Sequence, residues 1–329
     1  MSEVEKTMFR SENTVVLVGT LVSMDIQGMQ SKKDNIPMYL GRMQIETAEG
    51  ERHNIQVIEM KYWGRDKREN KGYDVITNLL DSAVTLESAK ADEEASYLRV
   101  TASMNPNVYK SRAGEIVEGQ QLQSRFIGFA NRDEEPVSTI TGTGVLATVP
   151  VMETGRDGEE TGRATADVIM VDYRNIALTL NLTFPEDAVD WITSLEVGTT
   201  IRFQATIINR YLNQTVEIDN PEGYGKITEV QRDIKRETVV TGGQEIGFYE
   251  DYDEEENADR ERILFPSQVT EAKQNYEQWS AEEIARADER KEASQKQKNN
   301  VSGFTKNKAT GSKSKSKKST DFNERDLPF

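Results

Sequence analysis

The sequence predicts an all-β protein made of two tandem five-stranded barrels, followed by a charged helix and a disordered tail. Short β-branched and apolar segments recur from residue 13 to about residue 240. They fall into two groups, and each group is interrupted once by apolar residues at helical spacing. From residue 241 onward the strand pattern gives way to acidic and then Lys- and Ser-rich stretches, which favour a non-globular end.

The first group contains five predicted strands and one helix. Apolar residues of 73–80 are spaced as on one face of a helix, and Gly19 predicts a bend in the first strand. The resulting order, β-β-β-α-β-β, is that of an OB-fold, a Greek-key barrel that binds oligonucleotides on strands 2 and 3 and on loops 1-2 and 4-5. The predicted strands are 14–22, 38–47, 52–62, 96–104 and 120–130.

The same order restarts after the acidic break at 133–136. The segment around Gly142 and Gly144 parallels the one around Gly19, and a helix is predicted at 185–195 with Pro185 in its first turn. The chain is therefore expected to contain a tandem repeat. The strands of the second group are predicted at 138–146, 164–172, 176–184, 200–212 and 225–234.

These patterns divide the chain into seven predicted segments. The two barrels are followed by a self-repelling acidic stretch, by strong helix formers, and by a low-complexity run of Lys and Ser. The segments are an N-terminal arm at 1–12, OB-fold domain 1 at 13–132, OB-fold domain 2 at 137–240, an acidic linker at 241–268, a charged helix at 269–295, a Lys/Ser-rich disordered linker at 296–320, and a tip at 321–329.

Composition excludes several classes of protein. The chain of 329 residues has no cysteine, so disulfides and thiolate metal sites are excluded. It has a lone histidine, His53, and no Gly-rich phosphate loop, so no enzyme activity, cofactor or metal is expected. It has neither a signal peptide nor an apolar run of transmembrane length, so a cytoplasmic location is expected.

The net charge of -16 argues against a nucleic-acid binder, because phosphates repel a negative surface. Both predicted barrels and the C-terminal part carry more acidic than basic residues. A DNA-binding groove must therefore be a local cluster of cations.

The best local cluster lies at the end of the third strand, where two aromatic residues adjoin three cations. A binder of single strands needs cations for the phosphates and flat side chains for stacking, which contributes about 1–3 kcal/mol per base. The alternative interpretation is a core aromatic beside an ordinary solvated turn. The cluster comprises Tyr62, Trp63, Arg65, Lys67 and Arg68.

Further candidates lie where an OB-fold binds oligonucleotides. Lys32 and Lys33 occupy loop 1-2, and Tyr39, Arg42 and Arg52 lie on or beside strands 2 and 3. The predicted loop 4-5, at 105–114, supplies Tyr109, Lys110 and Arg112.

The second barrel is poorer in such residues. It offers Arg174 beside Tyr173 at a turn, and Arg210 with Tyr211 near the end of its fourth strand, while Trp191 is expected in the core. Weak DNA binding, dimerisation and protein contact all stay open for this barrel.

The last nine residues combine acidic groups with a terminal Leu-Pro-Phe, a chemistry that fits an apolar pocket rimmed by Arg or Lys. This ending resembles the acidic tip of bacterial and phage single-stranded-DNA-binding proteins, although Asn323 and Arg325 replace residues that are usually acidic there. The partner-binding residues implied by the resemblance are Asp321, Phe322, Glu324, Asp326, Leu327, Pro328 and Phe329.

The leading hypothesis is sequence-nonspecific binding and protection of single-stranded DNA in replication, recombination or repair. The resemblance implies that the tip recruits a helicase, primase, polymerase or nuclease, that the protein is phage-encoded and acts in the bacterial cytoplasm, and that a homo-oligomer is an option. The alternative hypothesis is a replication-associated scaffold whose barrels bind protein rather than DNA.

Overall fold

The computed structural model describes residues 11–31, 34–63, 67–111, 113–155, 158–219, 226–253 and 263–304. Within these residues it contains thirteen strands, three α-helices and one short 3-10 helix, so the predicted all-β class is confirmed. Several predicted binding residues lie outside the described residues. They are Lys32, Lys33, Arg65, Arg112 and the whole tip at 321–329.

The first barrel closes in the order predicted for an OB-fold. Strand β1 pairs antiparallel with β2, and β2 with β3. β3 then pairs parallel with β7, which adjoins β6, and β6 returns to β1. The short strands β4 and β5 form a separate ribbon. The elements are β1 (Asn13–Gln30), β2 (Pro37–Ala48), β3 (Glu51–Met60), β4 (Tyr62–Trp63), β5 (Arg68–Glu69), α1 (Lys71–Ser82), β6 (Tyr97–Lys110) and β7 (Ile116–Phe129).

The second barrel repeats this connectivity, which confirms the predicted tandem repeat. β8 pairs with β10, β10 with β11, β11 parallel with β13, and β13 with β12, which returns to β8. In both barrels a helix follows the third principal strand. The elements are β8 (Val137–Leu146), β9 (Val151–Thr154), β10 (Glu160–Val171), β11 (Ala177–Phe184), α2 (Glu186–Ser194), β12 (Thr199–Asp219) and β13 (Lys226–Phe248).

Each barrel closes at a glycine of its first strand. A Cβ atom at Gly19 would overlap the main-chain oxygen of Glu46, and one at Gly144 would overlap that of Ile169. Both oxygens belong to the second principal strand of the same barrel, so the glycines allow two backbones to approach closely. In β1 the pairing register shifts just beyond this point, between Leu21 and Ser23, which confirms the predicted bend.

Main-chain hydrogen bonds join the two barrels into one sheet. The first part of β1, from Asn13 to Val18, pairs with β6 on one side and with β8 on the other. A second junction pairs Arg210 of β12 with Glu51 of β3. The described parts of 11–106 and 120–275 accordingly form one compact unit.

Several strands extend beyond their predicted ends. β6 continues to Lys110, so 105–110 is strand and not the predicted loop, and β13 continues to Phe248, past the predicted boundary at 240. Gly242 and Gly243 interrupt the apolar alternation that marks a strand in the sequence. Gly243 nevertheless pairs with Phe203, and its missing side chain leaves room for the Trp191 ring, which packs against the core as predicted.

The helices also differ in detail from the prediction. Helix α2 begins at Glu186, with Pro185 as the preceding capping residue rather than in the first turn. Helix α3 (Pro266–Phe304) is longer than the predicted 269–295. Just before it, Ile263 to Phe265 are buried instead of forming a solvated linker, and the Leu264 amide donates to Thr200 Oγ1 at 3.0 Å.

A second compact unit contains the described parts of 107–119 and of 276–304. It comprises the tip of the β6–β7 hairpin and most of helix α3. None of the helices that the structure describes combines the length and apolarity needed to cross a membrane.

Candidate nucleic-acid interface

The outward side chains of β2 and β3 form a surface that we call the β2–β3 face. Met43 and Ile45 of β2 and Ile55 and Val57 of β3 point into the core and are buried. Because side chains alternate along a strand, the residues between them point outward. The cross-strand pairs on this face are Leu40 with Ile58, Arg42 with Gln56, Gln44 with Asn54, and Glu46 with Arg52.

Arg42 lies in the middle of this face, as predicted from the sequence. The pairing registers place Arg42 in one row with Asp25 of β1, Gln56 of β3 and Gln123 of β7. Arg42 is exposed, and no carboxylate of the described residues forms an ion pair with it. Arg52, in contrast, donates from Nε to Glu46 Oε1 at 3.0 Å. Arg42 is therefore the cation of this face that is available for a phosphate.

The end of the β2–β3 face that lies near the C-terminal end of β3 is apolar. Met38 lies opposite both Met29 of β1 and Met60 of β3, and the neighbouring pair is Leu40 with Ile58. These side chains are only partly buried or are exposed. Flexible thioethers adapt their shape to a flat partner, so this end suits contact with bases.

The β4–β5 ribbon sets an aromatic residue opposite a cation at the rim of the first barrel. Trp63 pairs with Arg68, and the Trp63 side chain is 54% exposed. Lys61 Nζ lies 5.6 Å from the centre of the half-buried Tyr62 ring, and Lys67 is exposed. The alternative interpretation of Trp63 as a core residue is wrong.

Tyr39 does not lie on the β2–β3 face. It alternates with Met43 and Ile45 rather than with Arg42, so it points toward helix α1. Its ring stacks on Tyr73 with centroids 4.5 Å apart, and its hydroxyl lies 3.1 Å from Thr77 Oγ1. Tyr39 therefore packs against helix α1, and its predicted position on the binding face is wrong.

The predicted cation of loop 4-5 has a partner within the second unit. Lys110 Nζ lies 3.0 and 3.1 Å from the carboxylate oxygens of Asp288 in helix α3. In the same unit, burial and the adjacent Glu118 raise the pKa of Tyr276 to about 12. The neighbouring Tyr109 is partly buried.

Both predicted cations of the second barrel are held in ion pairs. Arg174 donates from Nε to Asp172 Oδ2 at 2.8 Å, beside the exposed Tyr173 ring. Arg210 bridges to Glu51 of the first barrel at 3.1 Å, so it joins the two barrels. Tyr211 is 48% exposed and pairs with Ile234.

The face of the second barrel that corresponds to the β2–β3 face carries mainly short neutral or acidic side chains. Asp167 accepts a hydrogen bond from Asn181 Nδ2 at 2.8 Å across β10 and β11. Thr165 and Thr179 also point outward there, and Arg163 on the same side of β10 is held by Glu153 and Glu237. This surface offers a phosphate little attraction.

Sequence reasoning missed a second exposed aromatic of the first barrel. Ser124 of β7 is buried and Ile127 packs against the core, although two residues lie between them and regular alternation would leave only one. Both Arg125 and Phe126 therefore turn outward, and Phe126 is 74% exposed. The sequence does carry a signal for this site, because Arg125 and Phe126 are adjacent and Phe129 follows them within the predicted strand 120–130.

The lone histidine lies at the junction of the barrels. His53 Nε2 is 3.1 Å from Thr47 Oγ1 and 3.2 Å from Ser138 Oγ. Burial lowers the pKa of His53 to about 4, so the ring is neutral at physiological pH. Among the residues that the structure describes, no group of three or more His, Asp or Glu is arranged to hold a metal ion.

A family model described as YorF matches residues 11–263, a range that includes both barrels. The chain belongs to this family. No curated protein sequence gives a match.

Solved structures similar to the chain include two of the single-stranded DNA binding protein from Thermus aquaticus. A deletion mutant of that protein is 13% identical with a TM-score of 0.42, over 72% of this chain and 95% of that one. The wild-type protein is 14% identical with a TM-score of 0.41, over 72% and 93%. A replication protein A heterotrimer bound to single-stranded DNA is 8% identical with a TM-score of 0.21, over 59% and 45%. The OB-fold assignment rests on the strand order of the two barrels themselves.

Proposed function

We propose that this member of the YorF family binds single-stranded DNA without sequence preference, through the β2–β3 face and the β4–β5 ribbon of its first barrel. The observation that carries the proposal is the exposed Arg42 between an apolar strip and a row of amide side chains. Exposed Trp63 and Arg68 lie at the rim. Cations that follow the backbone and flat or apolar surfaces for the bases are what a single strand requires.

The face favours single strands over duplexes. In a duplex the bases are stacked and paired, so Trp63 and the row formed by Met29, Met38 and Met60 could reach no base plane. A single strand splays its bases, which can then pack on these side chains. The amides of Gln44, Asn54 and Gln56 can serve as donor or acceptor, which suits a site that accepts every base.

The proposal includes a recruiting role for the C-terminal tip. Its acidic residues and Leu327-Pro328-Phe329 suit a pocket that is apolar inside and basic at its rim. The partner would be a helicase, primase, polymerase or nuclease in replication, recombination or repair. We place this role in the bacterial cytoplasm and assign the protein to a phage, and we propose no catalytic step for the chain.

A second candidate function is a scaffold whose barrels bind protein. The neutral-to-acidic face of the second barrel, around Asp167 and Asn181, favours this role for that barrel. The two functions are compatible in one chain, because Arg42 and Trp63, which are proposed to bind DNA, belong to the first barrel.

The proposal is tested by fluorescence anisotropy with a labelled oligothymidine at several salt concentrations. The full chain should bind at low salt, and affinity should fall as salt rises. Arg42→Ala should weaken binding and reduce the salt slope by about one. Arg202→Ala is the matched control, because Arg202 is an exposed cation that lies off the β2–β3 face and pairs with Glu12 at 2.8 Å.

Absence of binding at low salt would overturn the proposal. Equal losses in the two variants would also count against it, because they would trace the effect to net charge rather than to the β2–β3 face.

A further inference from the structure

Strand β7 continues the β2–β3 face on the side away from β1. The row that contains Arg42 and Gln56 extends to Gln123 of β7, since β3 and β7 pair in parallel at that point. Arg125 lies two residues beyond Gln123 and is exposed. Two residues beyond Gln56 on β3 is Ile58, which belongs to the apolar end of the face. Arg125 and Phe126 therefore lie toward the end of the barrel where β3 leads into the β4–β5 ribbon.

Arg125 and Phe126 are consecutive residues of β7 and both are exposed, so the inward and outward positions do not alternate there. With regular alternation from Leu122 and Ser124, Phe126 would enter the core. Instead Ile127 takes the inward position, and the Phe126 ring is left 74% exposed.

We propose that Phe126 stacks on a base, and Arg125 binds a phosphate, of the same single strand that crosses the β2–β3 face. This inference rests on the proposed function and extends the DNA path from β2 and β3 onto β7. An exposed ring beside an unburied guanidinium provides both groups that one nucleotide needs. The DNA strand would then run from Arg42 past Ile58 to Arg125 and Phe126.

The corresponding strand of the second barrel has no such pair. β13 pairs in parallel with β11 at Val239, and the residues that follow include Thr241, Gly242 and Gly243. These residues offer neither an aromatic plane nor a cation. The proposed extension therefore gives the first barrel a longer DNA path than the second.

The length of the oligonucleotide provides the first test. Affinities of the full chain and of Phe126→Ala are compared on oligothymidines of about 5 to about 20 nucleotides, a range that brackets the site size of a single OB-fold. Phe126→Ala should bind the longer oligonucleotides about five- to a hundred-fold more weakly and leave the shortest unaffected. Phe126→Leu should behave like the alanine variant, whereas Phe126→Trp should retain affinity, because only a planar ring stacks.

The matched control is Tyr173→Ala, which removes another strongly exposed aromatic, from the second barrel. It should bind every oligonucleotide as the unmodified chain does. Photo-crosslinking with an oligonucleotide that carries 5-iododeoxyuridine, followed by mass spectrometry, should mark the peptide that contains Phe126.

The outcomes separate this inference from the proposed function. If Arg42→Ala weakens binding while Phe126→Ala does not, the extension onto β7 is overturned and the proposed function stands. If the unmodified chain binds no oligonucleotide, both are overturned. If Phe126→Ala changes only the oligomeric state in analytical ultracentrifugation, the ring is a contact between copies of the chain, and the inference is overturned.

Discussion

Lys110 and Asp288 are 178 positions apart in the chain, yet the Lys110 ammonium lies 3.0 Å from an Asp288 carboxylate oxygen. The pair joins the tip of the β6–β7 hairpin to helix α3 within the second compact unit. Loop 4-5 is one of the places where OB-folds contact oligonucleotides. In this chain, Lys110 is the last residue of β6, and its ammonium is already paired with an acidic side chain.

Asp288→Asn is therefore expected to raise affinity for single-stranded DNA. Freeing Lys110 should strengthen binding about two- to five-fold at low salt, with little effect on stability, because a partly exposed ion pair contributes roughly 0–1 kcal/mol. Glu289→Gln is the control, since it removes the same charge from the adjacent exposed position. Equal gains in both variants, measured by anisotropy, would point to net charge instead of the pair.

Trp63 should report DNA binding directly. The chain has 3 tryptophans, of which Trp63 is exposed and Trp191 packs in the core against Phe184. A base stacked on Trp63 should quench its fluorescence, so Trp63→Phe should lose most of the signal change on oligothymidine addition. Trp191→Phe should keep that change. Quenching that survives in Trp63→Phe would remove Trp63 from the binding site.

Stability should fall as the pH drops through the range set by His53. Burial lowers the pKa of His53 from 6.5 to about 4, so the unfolded chain takes up a proton at a higher pH than the folded chain. The free energy of unfolding should decrease by about 3 kcal/mol between these two pH values. Urea unfolding at several pH values would measure the decrease.

The matched variant for this prediction is His53→Gln, which keeps a polar side chain near Thr47 and Ser138. Carboxylates add their own pH dependence to both proteins, so the difference between the two curves isolates His53. Parallel curves would show that the pKa of His53 is the same in the folded and the unfolded chain, and would contradict the prediction.

Deleting residues 327–329 should separate recruitment from DNA binding. Affinity for oligothymidine should stay unchanged, because the deletion removes no charged side chain, or rise slightly if Leu327-Pro328-Phe329 helps to hold the acidic tip against the cations. Pull-down of replication proteins from a host extract should be lost. Deletion of 312–314 shortens the preceding segment by the same length and should preserve the pull-down; loss in both variants would mean that linker length matters rather than the tip.

Local patterns in the sequence predict the order of elements well. The alternation around Ile55 and Val57, and the helical spacing of Ile76 and Leu79, correspond to residues that are buried in the structure. Gly19 predicts the bend correctly. The main chain of Glu46 comes so close to Gly19 that no side chain fits, so only glycine can occupy this position. The position of Arg42 on the outward face also follows from alternation alone.

Features that depend on segments far apart in the chain cannot be predicted from local sequence patterns. The sequence pattern puts Tyr39 on the binding face, but the Tyr39 ring packs against helix α1, whose position local pattern does not give. Phe126 is exposed although the alternation from Leu122 and Ser124 predicts it in the core, so the spacing of polar and apolar residues does not give its position. The partner of Lys110 and the pairing of β1 with β8 join residues far apart in the chain, so no local pattern predicts them.

The pairing of β1 with β8 also sets an order of events during synthesis. Between Asn13 and Val18, β1 has β6 along one edge and β8 along the other. On the ribosome the first barrel is complete before β8 emerges, and until then one edge of β1 has open backbone donors and acceptors. An unpaired edge is a template for another strand. A chain truncated before residue 137 would keep that edge open for a second copy, so aggregation of the isolated first barrel is built into its topology.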